Sequence, residues 1–291
     1  MAMPTSDADR PFELRPLSAA LGAEVLGLDL NEALDDDCFA AIHRAFLDHQ
    51  LLIFRDQQLS PGAQVVFARR FGEVQVHLLS QYHEGGHPEL YTLSNLDENG
   101  APSGRHPDKG TLAWHSDNSW SREASQATLL YVEVAPKSGG GTQFADMYGA
   151  YEALAADERS EVTDLRAVHD VNYSRNRRHG EDPLTDEQRR AKPPVDHPIV
   201  RTHPETRRKC LYLGDHASHI QGWPVDEGRA FVEALNGRIV RPQLVYEHAW
   251  RPGDLAVWDN RCCLHKALPY DTARDRRVIR RCTVLGSEPP Y

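Results

Sequence analysis

Trp114-His115-Ser116-Asp117 holds the residues best suited to chemistry in this chain. A histidine and a carboxylate two positions apart project to one face wherever the backbone is extended. A third partner lies far downstream, His265, closing the segment Trp258-Asp259-Asn260-Arg261-Cys262-Cys263-Leu264-His265. Two neutral imidazoles and one carboxylate on one side of a metal leave the opposite positions open, the facial arrangement of non-haem Fe(II) oxygenases. Twelve residues past His265 comes Arg277, within a run of five arginines between Arg274 and Arg281. A metal beside such a cation suggests a dianionic co-substrate.

Each piece has a plainer reading. With 15 histidines in the chain, a lone His-x-Asp triplet is a weak signal and fits a polar surface turn. His265 follows the apolar run Leu255-Ala256-Val257-Trp258, where a buried structural histidine is equally at home. The arginines alone could be a solvated basic patch. Their setting is strand-like, however, and a strand would put Arg277, Ile279 and Arg281 on one face, with its ends about 13 Å apart. Two guanidiniums so placed could grip two different anions through bidentate forks. Ser138-Gly139-Gly140-Gly141-Thr142 reads as a flexible turn, or as small residues that let Thr142 approach a carboxylate. His216 and His219 suit a pocket wall or a hydrogen-bonded loop better than a second metal, since no third ligand stands near them.

The elements that must position these groups are mostly short strands. Phe12 to Leu30 reads as a strand pair, and Asp35 to Gln50 as a helix with an acidic start that suits the helix dipole. Leu51-Leu52-Ile53-Phe54 is a compact strand, and Ser60-Pro61 opens a second helix. Ala127 to Val134, Thr142 to Ala145, Ile199 to Thr202, Cys210 to Leu213, Val245 to Ala249, Leu255 to Trp258 and Val278 to Val284 read as further strands. Helices are expected over Tyr148 to Ala156 and Pro224 to Asn236. Residues 80–112, rich in turn-formers apart from a strand-like patch at Leu90 to Leu93, read as a lid-like loop. Arg175 to Pro194 reads as an exposed charged insertion. The fold class expected is mainly β: a double-stranded β-helix, or jelly roll, with flanking α-helices, in a single domain over residues 1–291.

Composition narrows the function further. A net charge of −10 argues against a nucleic-acid surface. No apolar run of 18 residues exists to cross a membrane. The polar, acidic start from Met1 to Arg10 is unlike a signal peptide. Five cysteines without framework spacing read as reduced thiols, and a cytoplasmic protein is expected.

In order and spacing these pieces resemble the taurine dioxygenase and 2,4-dichlorophenoxyacetate dioxygenase family of Fe(II)/2-oxoglutarate enzymes. The resemblance runs from Gly22-Ala23-Glu24-Val25 and Leu51-Leu52-Ile53-Phe54-Arg55-Asp56-Gln57 through Phe67-Ala68-Arg69-Arg70-Phe71-Gly72 and Trp114-His115-Ser116-Asp117. It continues over Gly140-Gly141-Thr142 and His197-Pro198-Ile199-Val200-Arg201-Thr202-His203-Pro204, and closes with Trp258-Asp259-Asn260-Arg261, His265 and Arg276-Arg277. The stretches Ser94-Asn95, 214–222 and 224–229 are similar to the phenoxyacetate branch.

The resemblance implies Fe(II) on His115, Asp117 and His265, with 2-oxoglutarate and O2 as co-substrates. It implies Thr142 and Arg277 at the distal carboxylate of 2-oxoglutarate. Arg277 is preferred to Arg276 because it precedes the Val-Ile pair, although the stretch after His265 is one residue longer than in relatives. Arg281, His77, Asn95 and His216 are the implied contacts of a small anionic substrate, with an aryloxyalkanoate preferred. A sulfonate such as taurine, a sulfate ester, a biosynthetic amino acid and a metal-binding jelly roll without oxygenase activity are the alternatives. A homo-oligomer is expected, without nucleic-acid or membrane partners.

Overall fold

In a computed structural model of the chain, residues 10–76, 83–84, 86–178 and 184–291 are described. The first elements are strands β1 (Glu13–Pro16) and β2 (Ala23–Leu26), helix α1 (Asp36–His49), β3 (Leu51–Phe54) and α2 (Pro61–Arg69). Strands β4 (His83–Glu84), β5 (His87–Ser94), β6 (Ala127–Val134) and β7 (Thr142–Asp146) follow, then helices α3 (Met147–Glu152) and α4 (Ala156–Val162). Next come β8 (Arg166–His169), the short helices α5 (Val171–Tyr173) and α6 (Asp186–Ala191), and strands β9 (Val195–Pro198), β10 (Val200–Thr202), β11 (Lys209–Leu211) and β12 (Ala217–Ile220). Helix α7 (Val225–Ile239) precedes β13 (Val245–His248), β14 (Leu255–Asp259), β15 (Cys263–Ala267) and β16 (Val278–Val284).

Local chemistry sets the helix ends. The Asp35 carboxylate accepts from the Cys38 N–H at 2.7 Å, and Ser60 caps α2 through the Ala63 N–H at 3.2 Å, with Pro61 at the first helical position. Helix α1 ends where Gln50 turns left-handed, with φ of 65°.

One eight-stranded sheet runs in the order β1-β2-β3-β14-β6-β16-β5-β4, antiparallel except for β2 against β3. A second sheet, β13-β7-β15, faces it. Alternate side chains explain why the central strands of the large sheet are apolar at nearly every position. Leu52, Phe54, Leu129, Tyr131, Leu255 and Val257 point outward beneath α1 and α2. Leu51, Ile53, Leu130, Val132, Ala256 and Trp258 point inward against Phe144 of β7. Both faces are covered, so the usual polar alternation is lost. The outer face of the small sheet packs on α3 and α7 and on the strands β8 and β10–β12. The result is a jelly roll with helices on both flanks, as the sequence leads one to expect.

Several elements were legible only in part, as the Leu90 to Leu93 patch of β5 was, or not at all. Residues 80–112 contain β5, eight residues long and paired to β16, so the lid-like reading is left with the irregular stretch from 95 and the single 3-10 turn Lys109–Leu112. Its side chains are only half-buried, which dilutes the hydrophobic signal. The charged insertion carries α6, capped by Thr185 and Gln188, preceded by a π-helical turn over Ser174–Arg178. Strands β8, β12 and β15, of four or five residues, and the seven-residue helix α4 also went unread, because such short elements carry too little pattern. His77 lies outside the described residues. Among the described residues no helix is long and apolar enough to cross a membrane.

Cys38, Cys210, Cys262, Cys263 and Cys282 are all buried and unpaired. Burial pushes every one of these thiols up, Cys210 and Cys282 to about 12. Thiolate is the reactive form, so the native protein is expected to give no rapid reaction with a disulfide reagent at pH 8. All five should appear at once on adding denaturant. A rapidly titrating thiol in the native state would contradict this packing.

Candidate active site

The main chains of His115 and His265 meet as an antiparallel bridge. The His115 N–H donates to the His265 carbonyl at 3.0 Å, and the His265 N–H donates back at 2.9 Å. Residues opposite one another in such a pair share a face, and the two imidazole rings lie 4.2 Å apart. Extended backbone then carries Asp117 to the same side. Its Oδ1 is 3.7 Å from His115 Nε2 and 3.6 Å from His265 Nε2. All three side chains are buried, and their ligand atoms lie within 4.8 Å of one another.

The orientation of each ligand is fixed by a neighbour. His115 Nδ1 lies 2.8 Å from the Ala113 carbonyl, which assigns the proton there and leaves the Nε2 lone pair facing the centre. The His265 ring is gripped by Trp258, with centroids 4.6 Å apart, and stacks on Phe144. The Thr128 hydroxyl donates to Asp117 Oδ2 at 2.6 Å, so Oδ1 is the oxygen turned toward the histidines. Asn260 ties the ensemble together. Its Oδ1 accepts from the Asp117 N–H at 3.1 Å, its amide donates to Thr128 at 2.9 Å, and its carbonyl accepts from the Ser116 hydroxyl.

Protonation states suit a metal. Burial, then the neighbouring His115, holds His265 well below the usual imidazole range, so it stays neutral. Burial opposes the charge on Asp117, but the Arg281 guanidinium, with the Thr128 hydroxyl, outweighs it and keeps the carboxyl ionised. Arg281 Nη2 is 2.8 Å from Asp117 Oδ1, and its Nε donates to Thr283 at 3.1 Å. Two imidazoles and one carboxylate, buried and turned toward one another, fit Fe(II). A second cluster, His203, Asp259 and Cys262, does not fit a metal. Both oxygens of Asp259 are taken by the Arg261 guanidinium, and His203 adds a third contact. That cluster anchors the turn before β15 instead.

Arg277 is the most exposing test of the co-substrate reading. It is 4% exposed, its Nε has no partner, and no carboxylate among the described residues pairs with it. Burial lowers its pKa to about 10. A desolvated, unpaired guanidinium is costly, and an anionic ligand relieves that cost. Arg277 lines a narrow pocket with Thr142, His265, Trp258 and Arg281, whereas Arg276 is exposed. Thr142 is held by the Trp250 indole N–H at 3.0 Å. A cavity of about 190 Å³ on the other side is lined by His115, Asp117, Trp120, Arg175, His216 and Arg281.

The structure thus brings His115, Asp117 and His265 together, Thr142 and Arg277 into one adjoining pocket, and His216 and Arg281 into the other. It does not bring Asn95 there. The Asn95 amide donates to the carbonyls of Thr272 and Asp275, and its Oδ1 accepts from the Arg277 N–H at 2.8 Å. It braces the backbone that carries Arg277, and no hydrogen-bonding atom of its amide is left for substrate. Sequence reasoning missed Thr128, whose one signal was a lone hydroxyl inside an apolar strand, and it missed Trp120 and Arg175.

A buried two-histidine, one-carboxylate centre in a jelly roll defines a non-haem metal enzyme of the oxygenase type. The model of the taurine catabolism dioxygenase TauD, TfdA family matches residues 13–283, and the chain belongs to that family. It is 39% identical over 280 residues to the alpha-ketoglutarate-dependent 2,4-dichlorophenoxyacetate dioxygenase of Cupriavidus pinatubonensis, covering 93% of this chain and 96% of that protein. It is 34% identical to the (S)-phenoxypropionate/alpha-ketoglutarate-dioxygenase of Sphingobium herbicidovorans, covering 94% and 95% of the two chains. Among solved structures it is similar to AAD-2 in complex with Mn(II) and N-oxalylglycine, with a TM-score of 0.81, 34% identity and coverage of 96% and 99%.

Thr128 offers a clean test of the positioning network. Thr128→Val keeps the shape but removes the donor to Asp117 Oδ2. Loss of such a supporting contact typically weakens metal binding about 10- to 100-fold. Anaerobic Fe(II) titration should show that loss with the melting temperature little changed, and unaltered affinity would remove Thr128 from the network.

Proposed function

We propose that this protein is an Fe(II)- and 2-oxoglutarate-dependent dioxygenase that cleaves the ether bond of aryloxyalkanoates. The observation that carries the reading is the buried, unpaired Arg277 beside a His-Asp-His centre whose ligands are turned toward one another. The level of identity to dioxygenases of 2,4-dichlorophenoxyacetate and phenoxypropionate supports the substrate class. Fe(II), with 2-oxoglutarate and O2, supplies an oxidant that delivers one oxygen atom to the substrate while the 2-oxo acid becomes succinate and CO2.

The chain's own residues then do the positioning. His115, Asp117 and His265 hold the metal on one face and leave the other to co-substrate. Arg277 and Thr142 take the distal carboxylate of 2-oxoglutarate through charge-assisted contacts. Arg281 and His216 face the cavity beside the metal and receive the carboxylate of the primary substrate, with Trp120 lining the same space. Holding the acid end there presents the carbon next to the ether oxygen for hydroxylation. The hemiacetal so formed collapses to a phenol and a 2-oxo acid. Exclusion of water by the apolar walls, Trp258 and Leu130 among them, strengthens every charged contact in the pocket.

Two measurements test this. Arg277→Ala should raise the requirement for 2-oxoglutarate by roughly 30- to several-thousand-fold, from about 2–5 kcal/mol for losing one partner of a desolvated charge pair. Arg276→Ala should leave it near normal, and the reverse result would exchange the two assignments. With aryloxyacetates and aryloxypropionates, phenol and succinate should appear together. Turnover of taurine or an alkyl sulfate with no phenol from any aryloxyalkanoate would overturn the substrate class, because a guanidinium fork accepts sulfonate and carboxylate alike.

A further inference from the structure

Beyond the groups already assigned, the surroundings of Arg277 hold two more buried polar atoms without partners. These are the Tyr270 hydroxyl and His106 Nε2, beside the orphaned Nε of Arg277 itself. The Tyr270 ring is 5.8 Å from the Arg277 guanidinium carbon, and the His106 ring is 5.9 Å from that of Tyr270. His106 Nδ1 accepts the Asp108 N–H at 3.2 Å, so the ring proton sits on Nε2 and that atom is a donor. Burial, then the charge of Arg277, keeps the imidazole neutral, and burial keeps Tyr270 a phenol. The three groups thus stand in a row, Arg277 against the Tyr270 ring and Tyr270 against His106, with two of the atoms donors only and the Tyr270 hydroxyl able to donate. Buried donors left unmatched are unfavourable, and an anion beside Arg277 is a species that such donors can serve.

The fold fixes both residues there. The Gly140 N–H donates to the Pro269 carbonyl at 3.1 Å, and the Leu268 N–H donates to the Gly141 carbonyl at 2.8 Å. Gly139 and Gly140 have φ of +68° and +65°, and a Cβ on Gly139 would meet the Pro269 carbonyl at 2.6 Å. The glycine run thus docks the main chain of residues 268–270 immediately before Thr142, rather than merely clearing space for a ligand. On the opposite side, Gly104 donates to the Thr272 carbonyl at 3.0 Å and Asn95 clasps residues 272–277, so the loop bearing His106 is fastened to the same segment.

We propose that His106 and Tyr270 complete the co-substrate site, donating hydrogen bonds to the distal carboxylate held by Arg277 and thereby setting selectivity for a dicarboxylic 2-oxo acid. The inference rests on the 2-oxoglutarate reading above and deepens it. His106 Nε2–H and the Tyr270 hydroxyl act as neutral donors; no proton is transferred.

The test uses Mn(II)-loaded full-length protein without O2, titrated calorimetrically with 2-oxoglutarate and with 2-oxovalerate, the same carbon chain lacking the distal carboxylate. Tyr270→Phe keeps the ring packed on the glycine turn and removes only the hydroxyl. Tyr270→Phe and His106→Leu should each weaken 2-oxoglutarate on the order of tenfold, as expected for a hydrogen bond to a charged group. His106→Gln, which retains a donor, should recover part of the loss. Affinity for 2-oxovalerate and for Mn(II) should stay at the wild-type level. Unchanged 2-oxoglutarate affinity, or an equal loss for both acids, would overturn the proposal. Failure of the wild-type protein to bind 2-oxoglutarate would instead overturn the underlying assignment of the co-substrate.

Discussion

The antiparallel bridge between His115 and His265 is the contact on which the rest of the site depends. It joins two segments 150 residues apart in number and sets both imidazoles on one face before any side-chain interaction is counted. Backbone hydrogen bonds are a sound choice for this task, because they leave both ring nitrogens available for ligation and tautomer control. Asp117, two residues on and at the start of a turn, is held beside them by Asn260. Thr128 then decides which carboxylate oxygen faces inward.

Around that bridge the protein invests heavily in buried polar groups, and most of them are matched. Asn260 serves Ser116, Asp117, Thr128 and Trp258, and Asp259 lies between Arg261 and His203. Removing one member of such a buried pair typically costs about 3–5 kcal/mol, so these contacts hold the turn before β15, and hence His265, in a single geometry. The same economy rules elsewhere. Arg280, next to Arg281 but on the opposite face of β16, is matched by Gln64 of α2 and by Glu133. Buried polar atoms without partners also occur, at Arg277, Tyr270 and His106 and elsewhere, as at His169 and Arg201.

Charge is partitioned between two compartments that share Arg281. Its guanidinium binds Asp117 Oδ1 and borders both the narrow pocket of Arg277 and the larger cavity of His216. One residue therefore touches Asp117 and both pockets.

Much of this was legible in the amino-acid order. His-x-Asp spacing follows the two-residue period of extended chain, and that period also predicts Arg277 and Arg281 on a common face. Continuous apolar runs such as Leu51 to Phe54 announce strands covered on both sides, and Asp35 and Ser60 mark helix starts through backbone hydrogen bonds that are local by nature. What the order could not specify are partnerships across distance. Nothing near Asn95 distinguishes a residue that touches substrate from one that braces Arg277. Thr128 looks like any hydroxyl in a strand until Asp117 is folded beside it. The glycine turn reads as a gap for a ligand until residues 268–270 are seen to fill it. Those roles depend on which segments pack together, and only the tertiary structure decides that.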